Sequence, residues 1–225
     1  MRGRISEIFE SIQGEGILVG VRQLFIRFCG CNLDCYYCDT LKDSEFCFDH
    51  VSGEKIQNPI SAEYVQRRID SAKVHSVSLT GGEPLLQAEF IRALNKTRPF
   101  YLESNMSIPE KAKKLRFVDF VAGDLKVREA KLFDFEILLE NTFKSFKILR
   151  KTRTRRTFCK IVLPSVFNEE EIINSSLQIK DYVECFVLQP VFGSRLENIF
   201  KLQQKMLEFA DTRVIPQVHK FMGVR

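Results

Sequence analysis

The chain of 225 residues carries 34 Lys and Arg against 29 Asp and Glu, a formal net charge of +5, and is 44% hydrophobic. That is enough apolar material for one sizeable core, so residues 1–225 are expected to form a single domain. No run reaches the ~18 apolar residues of a membrane span, and the opening MRGRISEIFESIQGEG has neither the apolar core nor the cleavage site of a secretory signal. The reading is a cytoplasmic protein without a membrane anchor, and basicity this modest fits an anionic ligand or an acidic redox partner better than nucleic acid.

Along the chain, apolar runs of strand character alternate with amphipathic segments. QLFIRFC (23–29) predicts a first strand, and residues 41–60, polar and holding Gly53 and Pro59, read as a loop. A helix over 61–73 leads to the strand VHSVSL (74–79), and a helix over 87–97 leads to PFYLE (99–103). Helix 109–116 precedes FVDFVA (117–122), and helix 129–141 is followed by a positive stretch, 142–156, containing KILRKTRTRR. We read that stretch as a solvated face or exposed loop. TFCKIVL (157–163), helix 168–180, YVECFVLQ (182–189) and helix 195–210 complete the rhythm, and RVIPQVHK (213–220) is a final strand candidate. The alternation predicts an α/β fold: a parallel sheet with crossover helices, six units making an incomplete (β/α)6-type barrel.

Four of the seven cysteines fall between residues 29 and 38. In FCGCNLDCYYCDT, Cys31, Cys35 and Cys38 are spaced C-x3-C-x2-C on the loop that follows the first strand. Such short spacing lets thiolates converge on an iron–sulfur cluster, and three ligands on four irons leave one iron open to a small molecule. A zinc knot completed by Cys29, Cys47 or His50 is the competing reading, although no second C-x2-C knuckle accompanies the first. Cys29, on a strand of alternating faces, also reads as a plain core residue.

Polar groups follow other strands: TGGEPLLQ (80–87), ESN (103–105), GDLK (123–126) and LQP (188–190). In α/β sheets ligands are bound at the C-terminal ends of strands. The paired glycines allow close backbone approach to a ligand, and Glu83 suits an ammonium partner. Arg27 suits a bidentate grip on a carboxylate, its alternative being a core-edge ion pair. Gln13 displays both donor and acceptor. His219, a lone histidine, reads as structural.

The cysteine motif, with an aromatic residue before its last cysteine, resembles that of the radical S-adenosylmethionine superfamily. The longer stretch SIQGEGILVGVRQLFIRFCGCNLDCYYCDT, together with TGGEPLLQ and RVIPQVHK, closely resembles the 7-carboxy-7-deazaguanine synthases over nearly the whole chain. The resemblance implies a 4Fe–4S cluster on Cys31, Cys35 and Cys38, with S-adenosylmethionine chelated at the open iron. It implies cofactor contacts from Tyr37, Cys38, Asp39, Gly82, Glu83, Ser104, Asp124, Lys126 and Gln189. It implies Mg2+ at Thr40, and a pterin substrate held by Ile12, Gln13, Gly14, Arg27, Thr80 and Arg225. The implied reaction is radical ring contraction of 6-carboxy-5,6,7,8-tetrahydropterin with loss of ammonia, in a homodimer served by a flavodoxin or ferredoxin. Three departures stand out: Tyr37 where tryptophan is common, Asp124-Leu125-Lys126 where Ser-Pro-Lys is common, and Met106 where glycine is frequent. A glycyl-radical enzyme activase sharing the same cluster, and a zinc module binding nucleic acid through the basic run, are the rival functions.

Overall fold

The computed structural model describes residues 1–38, 40, 43–194 and 197–224. Its strands are β1 (Arg2–Gly3), β2 (Ile5–Ile12), β3 (Arg22–Phe28), β4 (Phe46–Asp49), β5 (Glu54–Gln57), β6 (Ile60–Ser61), β7 (Ser76–Gly81), β8 (Phe100–Ser104), β9 (Phe120–Asp124), β10 (Arg156–Leu163), β11 (Phe186–Pro190) and β12 (Thr212–Val214). Its helices are α1 (Ala62–Ser71), α2 (Ala88–Arg92), α3 (Pro109–Ala112), α4 (Phe135–Ile148), α5 (Glu169–Leu177), α6 (Ile199–Leu207) and α7 (Val218–Met222).

Ten strands form one sheet in the order β12-β11-β10-β9-β8-β7-β3-β2-β4-β5, and β1 pairs separately with β6. From β3 through β12 every neighbour is parallel. β2 lies antiparallel beside β3, and the β4–β5 hairpin continues the sheet past β2. The parallel strands are apolar almost throughout, as strands covered on both faces must be. Outward residues such as Leu24, Ile26, Leu79, Leu102, Ile161 and Leu188 are fully buried in a core completed by the helices. Inward residues Tyr101, Ala122, Phe158, Cys185 and Val187 form a second, smaller core with Leu18. The sheet is rolled around that inner core: Lys160 on β10 reaches Glu15, just past β2, at 2.7 Å. Helix starts carry local signals, with the Ser61 hydroxyl accepting from Tyr64 N at 3.2 Å and the Asn168 side chain accepting from Glu171 N at 3.1 Å.

The six predicted strands and their crossover helices are present, and four features differ. β2 was not anticipated. Residues 41–60 are not simply a loop, because the described part holds the β4–β5 hairpin and β6. The stretch 142–156 is only partly exposed. Its first half completes α4, where Thr142, Ser145 and Phe146 are buried, and the Arg155 guanidinium is turned inward onto the carbonyls of Val118, Arg150 and Arg116. His219 is on α7 and not on a strand, since Pro216 follows the end of β12 and the chain then turns into a helix.

Candidate active site

A cavity of about 610 Å³ opens at the C-terminal ends of the parallel strands. Register explains its composition: Arg27 pairs with Thr80 and Lys160 with Asp124, so polar residues of successive strands stand side by side. With Glu103, two residues past Tyr101 on β8, they occupy the inward parity above the inner core.

Cys31, Cys35 and Cys38 all line this cavity as free thiols. Among the described residues no three His, Cys, Asp or Glu side chains already stand in metal-binding geometry. Burial pushes the Cys31 and Cys35 thiols up, so loading a cluster must displace their protons. The loop is anchored from behind. Cys31 Sγ accepts from Leu33 N at 3.4 Å and from Asn105 Nδ2 at 3.8 Å, while Asn32 is held by Asn105 and by Ser107. N–H donors directed at one sulfur and three thiols on one wall are a donor set that fits a thiolate-ligated iron–sulfur cluster. The zinc alternatives lose their fourth ligand: Cys29 and Cys47 are buried in the core, and His50 lies 3.2 Å from Glu7.

The Gly81-Gly82 turn packs directly on this loop. Glu83 N donates to the Gly30 carbonyl at 2.7 Å and Gly82 N to that of Phe28 at 2.8 Å. A Cβ on Gly82 would stand 1.9 Å from the Gly30 oxygen, so only glycine fits. Glu83, expected to meet an ammonium, does not line the cavity. Its fully buried carboxylate accepts from Leu85 N (2.9 Å), Ser104 Oγ (2.8 Å) and Asn105 N (2.7 Å), and burial pushes it up to about 7. It ties the glycine turn to the end of β8. Ser104 faces the cavity, but its hydroxyl is engaged by Glu83 and by Met106 N. Met106 itself adopts φ +59°, which accounts for the glycine frequent at this position in the resembling family.

Tyr37, Gly82, Asp124, Lys126 and Gln189 line one side of the cavity. Lys126 pairs with Asp124 at 2.6 Å and its ammonium lies 5.7 Å from the centre of the Tyr37 ring. Gln189 is 2% exposed, yet its Oε1 has no protein partner among the described residues. A buried acceptor left open in a cavity wall is a place for a ligand donor. Asp39 falls outside the described residues.

On the other side stand Ile12, Gln13, Gly14, Arg27, Thr40 and Thr80. Arg27 donates from Nη1 to Glu7 at 2.9 Å and lies over the Phe9 ring, so the ion pair and the cavity position coexist. The Gln13 amide, expected to read a ligand edge, is engaged in the scaffold. It donates to Gln23 and accepts from Glu15 N, both at 3.0 Å. Thr80 Oγ1 donates to Glu103 at 2.9 Å. Arg225 falls outside the described residues, whereas His219 lines the cavity against Gly14.

Two charged residues here, Glu15 and Lys160, were given no role in the sequence, and Glu103 stood there only within the polar cluster ESN (103–105). Lys160 Nζ bonds Glu15, is in contact with Glu103, and lies 3.6 Å from Asp124. The signal was available, because Lys160 interrupts the apolar strand TFCKIVL at inward parity, and a buried lysine requires partners.

A family model described as the radical SAM superfamily matches residues 25–176. The 7-carboxy-7-deazaguanine synthase of Archaeoglobus fulgidus is 67% identical over 225 residues, covering all of both chains. The enzyme of the same name from Geobacter sulfurreducens is 34% identical, covering 97% of this chain and 96% of its own. Among solved structures, QueE from Escherichia coli superposes with a TM-score of 0.61 at 18% identity, covering 97% and 95% of the two chains. SuiB of Streptococcus suis bound to S-adenosylmethionine gives 0.51 at 14%, covering 83% of this chain and 48% of that one. The three thiols, the glycine turn seated on their loop and these relationships together show that the chain belongs to the radical S-adenosylmethionine superfamily and, within it, to the 7-carboxy-7-deazaguanine synthase family.

Proposed function

We propose that the chain converts 6-carboxy-5,6,7,8-tetrahydropterin to 7-carboxy-7-deazaguanine with loss of ammonia, a step of 7-deazapurine biosynthesis. When bound, the 4Fe–4S cluster and S-adenosylmethionine supply a 5′-deoxyadenosyl radical that removes hydrogen from the substrate. The protein's part is placement and shielding. Cys31, Cys35 and Cys38 would hold the cluster. Gly82 would offer backbone to the methionyl end of the cofactor, with Glu83 fixing that turn from behind, and Tyr37, Asp124, Lys126 and Gln189 would line its remaining length. Arg27 would grip the substrate carboxylate, helped by Mg2+ on Thr40, an oxygen ligand of the kind magnesium prefers. Thr80, Ile12, Gly14, Glu15 and Glu103 would frame the ring, and Asp39 and Arg225 keep the roles the resemblance gave them.

The carrying observation is that the thiols and the Arg27–Thr80–Glu103 row open into the same cavity. No helix among the described residues is long and apolar enough to cross a membrane. A cytoplasmic homodimer reduced by a flavodoxin or ferredoxin completes the reading. The test is anaerobic incubation of reconstituted protein with the pterin, S-adenosylmethionine, magnesium and a reductant, followed by product analysis. Formation of 7-carboxy-7-deazaguanine supports the reading. An unchanged pterin overturns it and returns the activase to consideration.

A further inference from the structure

We propose that Lys160 is a positioning residue that keeps Glu15 and Glu103 both ionised at the floor of the cavity, as paired acceptors for the donor edge of the substrate's aminopyrimidinone ring. The proposal rests on the pterin reading above.

Glu15 comes from the turn after β2, Glu103 from β8 and Lys160 from β10, three segments far apart in sequence that meet on the inward face. Lys160 has a side chain only 7% exposed, Glu15 13% and Glu103 19%. The ammonium has three protons. One goes to Glu15 at 2.7 Å and one to Glu103, while Asp124 lies 3.6 Å away, an ion-pair contact too long for a hydrogen bond. Two of its three protons are thus held by the carboxylates through which Lys160 acts on a ligand. The second Glu15 oxygen accepts from Gln217 at 2.8 Å, and the second Glu103 oxygen from Thr80 at 2.9 Å, which orients both carboxylates.

The other titratable groups facing this trio do not replace its cation. Lys126 is committed to Asp124 at 2.6 Å. Tyr101 lies below Glu103, neutral and wholly buried, and its hydroxyl is pushed far up by burial. His219 approaches Glu15 from α7. Burial is the largest influence on Glu15 and raises it, but the Lys160 charge together with the hydrogen bonds from Lys160 and Gln217 holds that carboxyl at about 2. Burial, with Glu15 and Asp124 adding to it, pushes Glu103 up against the pull of Lys160. Glu103 is thus the member that takes a proton once the ammonium is removed, because two buried carboxylates this close do not both stay charged. A tetrahydropterin presents its 2-amino group and ring N–H groups along one edge. Ionised carboxylates accept from such an edge, whereas a protonated one turns an O–H donor toward it.

The test compares reconstituted wild-type holoenzyme with K160M, K160R and K160M/E15Q. Pterin KM and kcat are measured across about pH 6 to 9, alongside iron content and S-adenosylmethionine affinity. K160M is expected to raise the pterin KM about 10- to 100-fold near neutrality, with iron and S-adenosylmethionine binding unchanged. Its KM should fall as pH rises and Glu103 gives up its proton, while the wild-type value stays flat. K160R should restore most of the affinity, and K160M/E15Q should recover part of it, since Glu103 then faces one anion fewer. An unchanged KM in K160M, or a loss independent of pH and accompanied by loss of iron, overturns the assignment. Wild-type protein that turns over the pterin while K160M matches it overturns only the role of Lys160. Wild-type protein that fails to bind the pterin overturns the functional reading as well.

Discussion

Replacing Gly82 by alanine tests whether the cluster loop is set by backbone contact with the glycine turn. The added Cβ would stand 1.9 Å from the Gly30 oxygen, 2.6 Å from its carbonyl carbon and 3.3 Å from Cys31 N. All three obstacles are main chain, so no rotamer change relieves them, and the loop must withdraw by roughly 1.5 Å to regain van der Waals separation. That movement breaks the bonds from Glu83 N to Gly30 O and from Gly82 N to Phe28 O. Two buried hydrogen bonds at about 1 kcal/mol each, with overpacking of about 1 to 3 kcal/mol, place the cost near 3 to 5 kcal/mol. The assay is the urea midpoint of the apoprotein, paired with iron per chain after anaerobic reconstitution. Gly53→Ala is the control: φ is +75° there and nothing lies within 4 Å, so it should cost only the left-handed conformation, about 1 to 2 kcal/mol. If Gly82→Ala loses no more stability than Gly53→Ala and still fills with iron, the proposed seating of the turn on the loop is wrong.

Arg27→Ala should keep a full cluster and weaken pterin binding by about 100-fold, the worth of one strong charge-assisted grip, whereas Cys35→Ala should lose iron and turnover together. Equilibrium binding and iron analysis separate the two. Asn105→Ala removes the N–H donor 3.8 Å from Cys31 Sγ. It should move the cluster's midpoint potential to more negative values, and an unchanged potential in anaerobic titration would argue that this contact is idle. Glu83 gives a pH effect. Its folded carboxyl is raised to about 7 from 4.5, so the native state holds that proton more tightly than the unfolded chain. Stability is then fullest below pH 4.5 and declines as pH climbs toward 7, by up to about 3 kcal/mol for a fully buried group. Urea midpoints of the apoprotein across that window should show the decline, and Glu83→Gln should flatten it.

The parallel half of the fold was legible because strands covered on both faces are nearly continuous in apolar residues, and most of the polar clusters that punctuate them fall at strand ends, Lys160 inside β10 being an exception. The cluster loop and the glycine turn declared themselves through residue types that few other structures need. β2 was harder to see, since ISEIFESI also scans as amphipathic and its antiparallel partner lies past an irregular turn. The hairpin within 41–60 was hidden because each strand has four residues and exposes polar groups on one face. Roles that depend on partners were the least readable. Gln13 and Glu83 look like ligand contacts in isolation, and only the packed chain shows Gln23, Leu85 and Asn105 already using their polar atoms. Lys160 was passed over for the opposite reason, its three carboxylate neighbours coming from segments distant in sequence.

The bonds from Val218 N to the Gly14 carbonyl (2.9 Å) and from Gln217 to Glu15 (2.8 Å) join the last helix to the turn after β2. During vectorial synthesis the three cysteines leave the ribosome long before that helix does. A nascent chain therefore presents its thiols while the chamber that will shelter them lacks a wall. Delivery of iron and sulfide into the finished site thus follows the emergence of that helix, and a chain cut short before residue 217 would carry every cysteine of the motif and still leave the chamber open.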